Sequence, residues 1–127
     1  MNPLQPRVLA VSPGDDRSPP RRVVLELDVP PALAHFAGHF PGFPILPGVV
    51  QLDWAVRFAR EHLAVRGEFA GMESVKFLSI VRPAARLRLE LRHEPERGRL
   101  AFAYSAGARK CSSGRILFGR DAATGAA

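Results

Sequence analysis

The sequence predicts an α+β fold in which one long helix covers one face of an antiparallel sheet. Three observations predict it. Residues 86–92 alternate without a break, Leu87, Leu89 and Leu91 against Arg86, Arg88, Glu90 and Arg92, which is the period of a half-buried strand. From Gly48 to about Val65 the apolar residues instead surround a helix, most densely at its N-terminal end. Between the first strand signals and this helix, Gly38 to Gly48 is dense in glycine and proline and can be neither regular helix nor inner strand. Strands come after the helix rather than alternating with helices, the layering of an α+β domain. At 127 residues the chain reads as one domain, 1–127, with one core.

The elements run in order. Arg7 to Val11 reads as a short strand, and Ser12 to Pro20 as a polar loop; residues 1–20 form a variable N-terminal segment. Arg21 to Val29, rich in valine and leucine, is a strand closed by Pro30-Pro31. Pro47 suits the first turn of the helix, where a missing N–H costs nothing. The helix is apolar nearly all round at its start and therefore buried there. It surfaces through Arg57, Arg60, Glu61 and Arg66, with Gly67 as its stop. Met72 to Ile80 returns to period two, with Val75 and Phe77 on one face. After residues 86–92 come a turn at Pro95 to Gly98, an alternating strand with Leu100, Phe102 and Tyr104, and a last strand, Arg115 to Phe118. Residues 119–127 read as a frayed tail. The strands after the helix are expected to form a meander. The exposed sheet face and edge need cover, which favours a dimer.

Composition narrows the function. No apolar stretch is long enough to span a membrane and the start lacks a signal-peptide pattern, so a cytoplasmic protein is expected. One cysteine, Cys111, leaves no internal disulfide and no multi-cysteine metal site, and its bland reading is a structural thiol. The net charge of +6, nearly all from arginine, suits an acidic partner such as a carrier protein or a phosphorylated carrier arm. Zinc-finger spacing, aromatic RNA motifs and dense basic helices are missing, so nucleic acid is not expected as a partner.

The chemistry concentrates between His35 and Ala55. The amides of Gly48, Val49 and Val50 open the helix without intrahelical partners, at the positive end of its dipole. A thioester carbonyl placed there would be polarised as in an oxyanion hole, and Gly48 offers no side chain to keep it away. Asp53, among Val49, Val50, Leu52 and Trp54, is an acid in apolar surroundings, held protonated or in need of a partner. His39, in the loop, is a candidate base for the carbon beside the thioester. Together these groups suit β-elimination of water from a 3-hydroxyacyl thioester. Other readings of the same residues stay open: Asp53 bonded to a nearby amide or arginine, or His35, His39 and Asp53 as a two-His-one-carboxylate metal set. His62 reads as a helix-surface residue, and His93 as lying on the exposed face of a strand end.

The run His39-Phe40-Pro41-Gly42-Phe43-Pro44-Ile45-Leu46-Pro47-Gly48-Val49-Val50-Gln51-Leu52-Asp53 resembles the active-site segment of the 3-hydroxyacyl-[acyl carrier protein] dehydratases, and is most similar to the dehydratase-like branch of aryl-polyene and related fatty-acid-like pathways. Val75 to Pro83 resembles the family's strand after the helix, and the likeness spans roughly residues 22–118. It implies a hotdog fold, a curved antiparallel sheet wrapped around the helix, in a homodimer with two active sites at the interface. It implies His39 as catalytic base, Asp53 from the other subunit as catalytic acid, and Gly48 with Val49 at the thioester carbonyl. Phe43 and Phe77 would line the acyl tunnel. The substrate would arrive on the phosphopantetheine of acyl carrier protein, with no metal or redox cofactor. Two departures stand out. The acid position holds Asp53 where many members have glutamate, and Ala84-Ala85 comes after Pro83 where the family often has Gly-Asp, which bears on carrier docking and chain length. The alternatives are a hotdog acyl thioesterase, against which the His-Phe-Pro-Gly loop argues, and a non-catalytic acyl-chain or carrier-binding protein.

Overall fold

The computed structural model describes residues 5–30 and 45–119. Six strands form one antiparallel sheet: β1 (Arg7–Pro13), β2 (Arg22–Asp28), β3 (Phe69–Phe77), β4 (Arg86–Glu94), β5 (Arg99–Ala106) and β6 (Arg109–Phe118), in the order β1-β2-β4-β5-β6-β3. The long helix α1 (Gly48–Leu63) lies on its inner face against β2 and β4. The alternation read from the sequence places the core. Leu25 and Leu27 of β2, Leu87, Leu89 and Leu91 of β4, and Leu100 of β5 are all fully buried in one core with Trp54 of α1. Each such side chain contributes roughly 1.5–3 kcal/mol by leaving water. The opposite face carries the charges, with Glu26 beside Arg88 and Asp28 beside Arg86 across the β2–β4 ladder.

Several expectations are corrected. The strand after the helix does not join a meander with its successor: only β4, β5 and β6 are a meander, and β3 sits at the far edge beside β6. The first and last strands run further than their apolar cores. β1 continues through Pro13, which an edge strand tolerates, and β6 begins at Arg109, directly after a turn with Gly107 at φ 60°. The helix ends at Leu63 rather than near Gly67, because Ala64 takes the left-handed conformation (φ 56°, ψ 37°) that closes the C-terminus. Nor is its start buried all round. Val50, Gln51, Trp54, Ala55, Phe58, Ala59 and Leu63 face the sheet, while Val49, Asp53, Arg57 and Arg60 are exposed. His93 shares the parity of Leu87, Leu89 and Leu91 and is half-buried on the inner side of β4, so it does not lie on the exposed face. Burial, reinforced by Arg21, lowers its proton affinity. His62 is only partly exposed and stacks on Phe58 with ring centroids 6.2 Å apart. Cys111 is buried, which raises its thiol pKa, as befits a structural residue.

β3 carries the feature that matters for the site. Glu73 pairs with Arg115 and Lys76 with Ser113, so a bulge inserts one extra residue, with Ser74 at φ 54°. A bulge reverses the facing of the residues beyond it, and here it turns Phe77 toward the start of α1. Gly114 of β6 makes the crossing possible: a Cβ there would stand 2.8 Å from the Val75 side chain. Ala84, where the resembling family often has glycine, holds φ 65° while its N–H donates to the Val29 carbonyl at 2.9 Å.

Candidate active site

The site is built on the first turn of α1. Pro47 enters the helix in an extended conformation (φ −61°, ψ 148°), with no side-chain cap and no acidic residue in the first turn. The Val50 and Gln51 amides both donate to the Pro47 carbonyl, at 3.1 and 3.2 Å. Val50 is therefore committed, contrary to the sequence reading, and the uncommitted pair is Gly48 and Val49, which have no backbone acceptor among the described residues. These two N–H groups carry the positive end of the helix dipole.

A cavity of about 310 Å³ opens beside them, lined by Ile45, Leu46, Pro47, Gly48 and Gln51 on one side and by Phe77, Leu78, Ser79 and Ile80 on the other. Phe77 lies directly over Gly48: a Cβ at position 48 would stand 2.6 Å from its ring. The absent side chain at Gly48 thus accommodates an aromatic ring that lies across the approach to the amide.

Asp53 is not part of this cavity. Five residues along a helix amount to about 7.5 Å of rise and well over a quarter-turn of rotation, and Asp53 shares the exposed face with Val49, which is 71% exposed. In a single chain Asp53 is therefore solvent-facing, not enclosed by its apolar neighbours in sequence. Its charge is still felt inside. The fully buried Tyr104 phenol is held well above its ordinary pKa, first by burial and second by Asp53, and so remains a donor throughout the working range. His39 and Phe43 lie outside the described residues, as does His35 of the metal alternative. Among the described residues no cluster of three His, Cys, Asp or Glu could hold a metal ion, and no helix is long and apolar enough to cross a membrane.

One participant escaped the sequence reading. Gln51 is 3% exposed. Its amide nitrogen donates to the Leu46 carbonyl at 3.3 Å, and its amide oxygen accepts from Ser112 Oγ at 2.7 Å. Tyr104 donates to its backbone carbonyl at 2.7 Å. The only available signal was a glutamine within an apolar helical run.

A six-stranded antiparallel sheet packed on a long helix, whose N-terminus opens on an apolar cavity, defines a hotdog-fold protein. Residues 15–115 match the ApeI-like family, the ApeI dehydratase. The chain resembles the dehydratase heterocomplex ApeI:P of Xenorhabdus doucetiae, with 30% identity and a TM-score of 0.83, covering 91% of this chain and 99% of that one. It also resembles a protein structure from Erwinia carotovora subsp. atroseptica, with 36% identity and a TM-score of 0.80, covering 91% and 96%. The 3-hydroxyacyl-[acyl-carrier-protein] dehydratase FabZ of Moorella thermoacetica is 32% identical over 125 residues, covering 91% of this chain and 83% of that protein. Against the FabZ of Chloroflexus aggregans the match is 39% over 67 residues and spans about half of that protein's length, 46%. The chain belongs to the ApeI-like dehydratase family, the aryl-polyene-type branch of the hotdog-fold 3-hydroxyacyl-[acyl carrier protein] dehydratases.

Proposed function

We propose that this chain removes water from a 3-hydroxyacyl thioester borne on the phosphopantetheine of an acyl carrier protein, giving the trans-2-enoyl thioester, in cytoplasmic fatty-acid-like or polyene lipid biosynthesis. The observation that carries the reading is the helix start at Gly48 and Val49, whose amides have no backbone acceptor among the described residues, with Gly48 lining an apolar cavity, in a member of a dehydratase family. The thioester carbonyl takes hydrogen bonds from these amides, which stabilises charge as the neighbouring C–H bond breaks. His39 accepts that proton, the C2–C3 double bond forms, and the C3–O bond breaks as an acid donates a proton to the leaving hydroxyl. No electrons are gained or lost overall, so the proposed chemistry calls on no redox cofactor, and its acid and base are side chains of this protein.

The acid is Asp53 of the partner subunit. Two observations support this: Asp53 lies off its own chain's cavity, and the helix face it shares with Val49 is exposed and partly apolar. The proposed homodimer covers that face, together with the β3 edge, where Phe69, Met72 and Phe77 are each at least half exposed. The basic balance of +6 suits an acidic carrier.

The test is a panel of 3-hydroxyacyl thioesters on carrier protein and on coenzyme A, followed by mass spectrometry. Loss of one water is the expected result. Release of free acid would move the reading to a hotdog thioesterase. Carrier binding without conversion would mark a non-catalytic acyl-chain or carrier-binding protein.

A further inference from the structure

Gln51 and Ser112 are the buried polar residues of the described core, at 3% and 2% exposure, and they bond to each other. A leucine of similar volume would fill the Gln51 position without the desolvation that a carboxamide and a hydroxyl incur on burial. The pair is therefore weakly explained by stability and calls for a positional reason.

The geometry supplies one. The Leu46 carbonyl can only accept, so the Gln51 nitrogen must face it, and the Gln51 oxygen must face Ser112. The carboxamide is thus fixed in one orientation. It ties β6, through Ser112, to the residue that precedes Pro47. Leu46 is held from its other side as well, its N–H donating to the Val81 carbonyl at 2.8 Å. A third tether comes from β5: Tyr104 donates to the Gln51 backbone carbonyl at 2.7 Å, within the turn that connects Gly48 to Asp53. Three attachments to the sheet side of the molecule converge on one helical turn and its entry. The helix start has no side-chain cap of its own to hold it.

We infer that Gln51, Ser112 and Tyr104 form a buried clamp of positioning residues that fixes the direction of the Gly48 and Val49 amides toward the acyl carbonyl. The inference rests on the thioester site proposed above. None of the three is required to touch the reacting atoms. Their effect is on where the amide hydrogens point, and hydrogen-bond catalysis is steeply sensitive to that direction.

The test reads the carbonyl directly. An enoyl thioester of coenzyme A, labelled with carbon-13 at its carbonyl, is bound to the wild-type protein and to Ser112→Ala and Tyr104→Phe. Each variant removes one hydroxyl and keeps the carbon framework. The isotope-edited infrared stretch, the thermal midpoint, and kcat and KM are recorded for each. The expected result is a stretch lowered in the wild type and returning toward its solution value in both variants. The variants should remain folded, with kcat reduced about ten- to a hundredfold and KM nearly unchanged. A wild-type stretch equal to that in solution would overturn the amide site and the clamp with it. A lowered wild-type stretch that both folded variants retain would leave the site standing and overturn the clamp alone. Should Ser112→Ala not fold, Tyr104→Phe alone decides between these outcomes.

Discussion

The two ends of α1 are finished in opposite ways. The C-terminus is tied back onto the chain that follows it. Ala64 closes the helix in the left-handed conformation and the Val65 amide returns to the Ala59 carbonyl at 3.4 Å. Arg60 donates to the carbonyls of Val65 and Gly67 at 3.3 and 2.9 Å, and its guanidinium lies 5.4 Å from the centre of the Phe118 ring. At the N-terminus Pro47 supplies no side-chain cap, Gly48 lines a cavity, and the nearest satisfied groups are the buried tethers behind it. Where a helix end serves only the fold, the chain beyond it folds back and holds it. Where it is to receive a ligand, its polar groups are left unmatched, and stability must be supplied from behind.

That contrast can be broken at either end. The largest effect is expected for Asp53→Asn, which should lower dehydration about 10²–10⁴-fold, while the isosteric amide keeps the denaturant midpoint close to that of the wild type. Turnover and denaturant midpoints measured together check it, and retained turnover would sink the assigned role. Gly48→Pro comes next. Proline is accepted at the first helical position, and Pro47 already has the extended conformation that a following proline requires. The substitution deletes one amide hydrogen. Both Gly48→Pro and Gly48→Ala push on Phe77, so the ratio of their kcat values isolates the lost donor, expected at about 10²–10³.

The tied-back end should respond in stability and not in chemistry. Arg60→Ala is expected to cost about 1 kcal/mol, visible as a thermal shift of a few degrees with turnover per folded molecule unchanged. His93, which lines a depression at this end with Leu63 and Ala64, gives a pH signature. Its proton affinity is lowered on folding, so the unfolded chain binds the proton more readily. Its penalty is absent above the unfolded imidazole pKa of about 6.5 and grows as pH falls below it. A thermal midpoint that declines from pH 7 to 5.5, with the decline flattened in His93→Gln, is the expected pattern. The smallest effect is Ala64→Gly, which relieves the left-handed alanine and should stabilise by about 0.5–1 kcal/mol in equilibrium unfolding.

Much of this architecture is legible locally. The alternation of residues 86–92 and of Leu100, Phe102 and Tyr104 reports burial that each strand experiences on its own, and Pro47-Gly48 marks a helix start by backbone chemistry alone. The misreadings have different causes. Gly67 is the stop that residue type favours, but Ala64 takes a conformation usually left to glycine, with short-range hydrogen bonds from Arg60 and Val65 on either side of it. The place of β3 beyond β6 depends on a ladder between segments some forty residues apart. Gln51 meets Tyr104 and Ser112 across 53 and 61 residues, a distance over which a single polar residue in an apolar run announces nothing. The exposure of Asp53 comes from helix rotation relative to the sheet, which a count of flanking apolar residues does not contain.

Phe77 ends an open edge strand and also roofs Gly48. Whatever pairs with that edge therefore sits within one residue of the aromatic ring over the carbonyl site. The proportion of chains with a neighbour on β3 should set the proportion with a finished cavity, so specific activity becomes a function of protein concentration. Dilution would then act as an inhibitor with no molecule added, and its midpoint would report the association constant of the edge.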